Sequence, residues 1–117
     1  MPFTYDRERN IVFIDYTQLT AEQLVVEAER IHEQGRTHLL GKPARVLVDI
    51  TGTLLNRGAV HALKQATRDD RALVERTAIV GVTGLKKILA DAITRFSGTN
   101  TRYFDTKDAA LEWLAKP

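Results

Sequence analysis

The chain has 117 residues, 44% of them hydrophobic and 27% charged, which describes one ordinary globular domain and excludes a two-domain enzyme. Its net charge of +2 arises from 17 Lys and Arg interleaved with 15 Asp and Glu, so no basic stripe forms and no nucleic-acid partner is expected. With no cysteine there is no disulfide, thiolate zinc site or cysteine nucleophile, and the start Met1-Pro2-Phe3-Thr4-Tyr5-Asp6 resembles neither a signal peptide nor a membrane span, which makes the cytoplasm the default location.

In chain order, Phe3 to Tyr5 and Ile11 to Tyr16 are short β-prone runs separated by the polar DRERN, the pattern of a hairpin with Ile11, Phe13 and Tyr5 facing a core. Thr20 opens a helix through a Thr-x-x-Gln capping box closed by Gln23. Leu24, Ala28 and Ile31 recur at helical spacing until Gly35 weakens or ends the helix. Pro43 marks the connection to Ala44–Ile50 (ARVLVDI), a continuous apolar strand of the kind buried on both faces, with Asp49 at its carboxyl end.

A rather polar helix is expected from about Asn56 to Val74, with Ala59, Leu63, Ala66 and Asp70 on one face and His61 toward solvent. Thr77 to Val82 reads as the next strand. Leu85, Ile88, Leu89, Ala92 and Phe96 then form an apolar helical stripe ended by Ser97-Gly98. Thr101 to Phe104 is a last short strand, and Thr106 caps a final helix that turns Ala110, Trp113 and Leu114 inward. This order predicts an α/β sheet built partly from right-handed βαβ crossovers, whose ligand sites lie beyond the carboxyl ends of the strands. Those ends are Asp49 to Thr53, Val82 to Lys87, and Asp105 with Thr106.

The stretch Asp49-Ile50-Thr51-Gly52-Thr53 is similar to the phosphorylated Asp-x-Thr-Gly-Thr of P-type ion pumps and to the nucleophile loop of the haloacid-dehalogenase superfamily. An aspartyl nucleophile of that kind needs magnesium, a hydroxyl, a lysine and further acids, parts for which Asp49, Thr83, Lys86 or Lys87, and Asp105 can be cast. Against a magnesium-dependent phosphotransferase, only 68 residues follow Asp49, Thr51 stands where the soluble phosphatases carry a second aspartate, and Asp105 lacks an acidic neighbour on its loop. The plainer alternative is a strand-to-helix turn, in which Asp and Thr side chains bond local N–H groups and Gly52 supplies a conformation other residues avoid.

Gly81-Val82-Thr83-Gly84-Leu85-Lys86-Lys87 has the form of an anion or head-group site, a glycine-flanked turn entering a helix, although two lysines there are also consistent with a solvated helix start. Its spacing is not that of a Walker loop. Ser97, the only serine, reads as a helix-end residue. His32 and His38 point about 240° apart on a helix and cannot share one metal. No metal and no cofactor is expected.

A broader resemblance is carried by AIVGVTGLKKILADAITRFSG from Ala78 onward and by RYFDTKDAALEWL, and extends back through VLVDITG to about Asn10. These segments resemble the SpoIIAA-like family of small bacterial proteins, also described as STAS/SEC14-domain proteins. The resemblance implies one SpoIIAA-like domain over residues 1–117, with a mixed four- or five-stranded sheet and about four helices mainly on one face. It also implies a non-enzymatic regulatory role exercised by binding a protein partner. In the anti-sigma-factor antagonists of this class a strand ends in Asp-x-Ser-Gly, matched here by Asp49-Ile50-Thr51-Gly52. The Asp-Ser pair that carries their phosphate is missing, the stretch reading Leu55-Asn56-Arg57-Gly58.

The SEC14-like side of the resemblance implies instead a lipid or anionic head group, with peripheral attachment at the inner membrane surface. An exposed edge at the N-terminal hairpin would also permit a homodimer. The residues expected to meet a partner or ligand are Asp49, Thr51, Gly52, Thr53, Thr83, Gly84, Lys86 and Lys87.

Overall fold

The computed structural model describes residues 3–6, 8–38, 43–53, 56–59, 61, 62, 65, 74–81 and 100–116, without the side chains of residues 3, 32 and 34–38. Five strands, β1 (Phe3–Asp6), β2 (Ile11–Asp15), β3 (Ala44–Asp49), β4 (Val74–Val80) and β5 (Thr101–Phe104), form one mixed sheet in which spatial order equals chain order. β1 and β2 pair antiparallel as a hairpin, and β2 to β5 run parallel. Helix α1 (Ala21–His38) joins β2 to β3, and helix α2 (Lys107–Ala115) follows β5.

When successive parallel strands are laid down in one direction, right-handed crossovers put their connecting helices on the same face. Here α1 contributes Ala21, Leu24, Ala28 and Ile31 to a cluster with Val12, Ile14, Val46 and Ile50. Ala59, from the helical residues 57–59 between β3 and β4, joins that same cluster. No crossover constrains the terminal helix, and α2 takes the other face, packing Ala110 and Leu114 on Ile11, Leu47, Ala78 and Val80. β2 and β3 are thus covered on both sides, which is why their sequences read as unbroken apolar runs.

Side-chain caps set the helix starts. Gln23 N donates to Thr20 Oγ1 at 3.1 Å while Thr20 N donates to Gln23 Oε1 at 2.9 Å, closing the expected capping box. Thr106 Oγ1 accepts from Ala109 N at 3.2 Å, and Asn56 Oδ1 accepts from Ala59 N at 2.8 Å.

The far end of α2 carries no basic residue of its own, and the sheet supplies the compensation. Arg45 and Arg76, opposite each other on β3 and β4, both reach it. Arg76 Nη1 donates to the carbonyls of Trp113 at 3.1 Å and Lys116 at 2.9 Å, and Arg45 Nη1 donates to those of Leu114 and Lys116. The guanidinium groups of Arg76 and Arg102 each lie 5.4 Å from the Trp113 ring centroid.

Some element bounds differ from expectation. α1 continues through Gly35 to His38, since a single glycine costs a helix only about 1 kcal/mol. β4 begins at Val74 rather than Thr77, so Val74 belongs to the strand and not to the expected helix, and it stops at Val80, where Gly81 turns to φ +88°. The expected apolar stripe from Leu85 to Phe96 lies outside the described residues, as does Ser97.

Candidate functional site

The carboxyl ends of β2, β3 and β4 converge on a bonded set of loops. On adjacent strands, Asp15-Tyr16-Thr17 and Asp49-Ile50-Thr51 repeat one Asp-x-Thr turn. Asp15 Oδ1 accepts from Thr17 N at 3.0 Å and from Thr17 Oγ1 at 2.6 Å, and Asp49 Oδ1 accepts from Thr51 N and Thr51 Oγ1 at the same two distances. These short side-chain loops take up the first backbone N–H groups past each strand. The middle residues, Tyr16 and Ile50, drop into the core on the α1 face.

Backbone bonds then tie each loop to the next. Tyr16 N donates to Asp49 O at 2.9 Å, Gln18 N to Thr51 O at 3.0 Å, and Ile50 N to Val80 O at 3.0 Å. Thr53 bolts the set from beneath: wholly buried, its hydroxyl donates to Tyr16 O and accepts from Leu19 N at 3.1 Å. That hydroxyl is committed to the fold, so Thr53 serves as an internal fastener within the set of expected contact residues.

Two glycines and one strained residue shape the upper surface. Gly52 has φ +74° and lies under the Gln18 side chain, and a Cβ added to it would meet Gln18 Nε2 at 3.3 Å. At Gly81, with φ +88°, an added Cβ would stand 2.3 Å from Thr51 Oγ1 and 2.7 Å from Thr51 N, so only glycine fits against the β3 loop. Gln18 itself holds φ 60° without being glycine, a conformation that costs an L-residue about 1–2 kcal/mol. Gln18, Thr51 and Gly52 are all exposed, and Asp49 beneath them is only 9% exposed.

The opposite side of this rim carries charge. Asp15 is held below the ordinary carboxylate range, first by the Thr17 hydroxyl, next by the Thr17 N–H, and further by attraction to Lys107. Lys107, in the first turn of α2, places its ammonium 4.2 Å from the Phe13 ring centroid. Asp105 is exposed just past β5.

Of the expected contact residues, Asp49, Thr51, Gly52 and Thr53 are brought together, whereas Thr83, Gly84, Lys86 and Lys87 lie outside the described residues. Sequence reasoning passed over Asp15, Thr17 and Gln18. The signal was present as the second Asp-x-Thr, at the end of the run Ile11 to Asp15. As chemistry, the arrangement buries a carboxylate whose Oδ1 is engaged by two donors and offers outward a hydroxyl, a glycine backbone and a primary amide. Among the described residues no three His, Asp or Glu side chains gather as metal ligands, and no helix is long and apolar enough to cross a membrane.

The fold has a solved counterpart in an uncharacterised protein of the DUF3478 family, with a SpoIIAA-like fold, from Shewanella loihica PV-4. The two superpose with a TM-score of 0.70 at 20% identity, over 96% of this chain and 91% of that one, a likeness of fold. No curated protein matches the chain. The SpoIIAA-like family model matches residues 13–115, from the middle of β2 to the last residue of α2 and so across the whole loop set. With the family model spanning most of its length, the chain belongs to the SpoIIAA-like family.

Proposed function

We propose that the chain is a non-enzymatic regulatory module that binds a protein partner through the rim formed by Thr17, Gln18, Thr51 and Gly52. The observation that carries this reading is the backbone of Gln18. A solvent-exposed residue gains nothing for the core by holding φ 60°, yet it is locked there by its N–H on Thr51 O and by its side chain lying over Gly52. Strain kept in an exposed loop is characteristic of a surface preorganised for contact. The buried Asp49, bonded to its own loop through Oδ1, reads as the support of that surface, in preference to an aspartyl nucleophile.

Native mass spectrometry of untagged protein, gently purified from its own cells, tests the proposal. A stoichiometric protein adduct, with hydrogen-exchange protection at residues 17–19 and 51–52, is the expected result. A bare chain, or a lipid-sized adduct in place of a protein, contradicts it.

A further inference from the structure

Leu19, two residues before α1, and Glu22, Gln23, Val26 and Glu27 on a single flank of α1 follow one another at helical spacing and line an open groove of about 310 Å³. The groove starts where the rim ends, because Leu19 N is the donor to Thr53 Oγ1 at 3.1 Å. Three features of the groove point to one kind of occupant.

Val26 is 53% exposed, the large hydrophobic most open to solvent among the described residues. An exposed valine is ordinary by itself. Here it forms the apolar wall of a concave surface with Leu19, which is half-buried. Beside it stands Glu27. Its Oε1 lies 3.5 Å from Arg30 Nη1, but its Oε2 is shut off from solvent with no hydrogen-bond partner among the described residues. A buried carboxylate oxygen left unmatched is costly, and a cationic N–H donor entering the groove would satisfy it.

Charge sets the sign of the occupant. The sequence of α1 carries Glu22, Glu27, Glu29 and Glu33 against Arg30 and Arg36, a local excess of acid on a chain whose net charge is +2. An anionic membrane surface would be repelled by this flank, whereas a basic segment would be drawn to it. Arginine fits both features, since its methylene stem can lie on Val26 and Leu19 while its guanidinium reaches Glu27 and Glu22.

We infer that this α1 flank is a docking groove for a basic segment of the protein partner, an arginine or lysine beside a large apolar side chain. The inference rests on the partner-binding reading above and names the chemistry of the segment.

Selection of a phage-displayed random dodecapeptide library on the folded protein tests it. Enriched peptides are expected to pair Arg or Lys with Leu, Ile, Phe or Trp. Val26→Arg should abolish their capture, and Glu27→Gln should weaken it about tenfold. Both variants should keep the wild-type circular dichroism spectrum, because Val26 is exposed and glutamine has the shape of the glutamate it replaces. No enrichment, enrichment of peptides without net positive charge, or retention by Val26→Arg overturns the inference. So does binding of phosphatidylglycerol vesicles that Val26→Arg removes, or self-association that the same variant abolishes. The two readings separate on the native partner. If Gln18→Gly loses the partner while Val26→Arg keeps it, the groove assignment alone fails. If the wild-type protein has no partner, the rim reading fails with it.

Discussion

Asp15 and Asp49 lie opposite one another on neighbouring parallel strands, and each closes the same turn on the threonine two residues ahead. The two turns differ in burial, Asp15 being exposed and Asp49 only 9% exposed, so one geometry is present in two dielectric settings. Asp49→Ala should cost about 2 kcal/mol by removing the two part-buried hydrogen bonds from Thr51 N and Oγ1, and Asp15→Ala less than about 1 kcal/mol, because water replaces the lost acceptor. Asparagine retains an acceptor oxygen, so Asp49→Asn should recover at least half of the loss. Urea denaturation of the four proteins, wild type and three variants, checks the order.

The lowered Asp15 acidity has a definite sign. A carboxyl whose folded pKa is depressed contributes stability that is fully present above its unfolded value, near 3.8, and is lost as pH falls through the lower folded value. Asp15→Asn should therefore lower the urea midpoint modestly at pH 6 and flatten its decline below about pH 4, so that the two curves converge at low pH. Urea midpoints measured from pH 6 down to pH 2.5 read this directly, and parallel curves for the two proteins would refute it.

Gly81 admits no side chain. Gly81→Ala would place a methyl group 2.3 Å from Thr51 Oγ1 and 2.8 Å from Thr51 Cα, on a residue at φ +88°. A loss of about 2–4 kcal/mol is expected, from the backbone strain together with displacement of the β3 loop. Thermal unfolding measures it, and a loss below about 1 kcal/mol would show that the loop yields freely.

At the other end of the sheet, Arg76 caps α2 and lies against Trp113, the chain's single tryptophan. Arg76→Met keeps the aliphatic stem and removes the donors. It should cost about 1–2 kcal/mol and speed amide exchange in the last turn of α2. Trp113 fluorescence should shift at a lower urea concentration than the far-ultraviolet circular dichroism does. Coincident transitions in the variant would mean that the helix end is not separately held.

Much of this architecture is visible in the chain itself. The box of Thr20 and Gln23, the cap at Thr106 and the doubly apolar ARVLVDI each carry their physical cause within a few residues, and each lies where local chemistry predicts. What escaped depends on neighbours distant in sequence. Arg45 and Arg76 read as ordinary charged residues until strand pairing sets them side by side beneath the end of α2. Thr53 looks equivalent to Thr51, yet one hydroxyl is wholly buried between loops and the other is at the surface. Gln18 gives no sign in its residue type of the left-handed backbone it adopts, because the bond from its N–H to Thr51 O imposes it.

The central claim is that the rim is held in a strained form for contact rather than for stability, and Gln18→Gly separates the two. Glycine accepts φ 60° without strain and removes only the exposed amide side chain, so stability should stay equal or rise by up to about 1 kcal/mol. Urea denaturation and affinity capture of the partner from native cells, run together on wild type and Gln18→Gly, are the measurement to make. The account predicts an unweakened fold and at least a tenfold loss of partner. Full retention of the partner by an equally stable variant would contradict it.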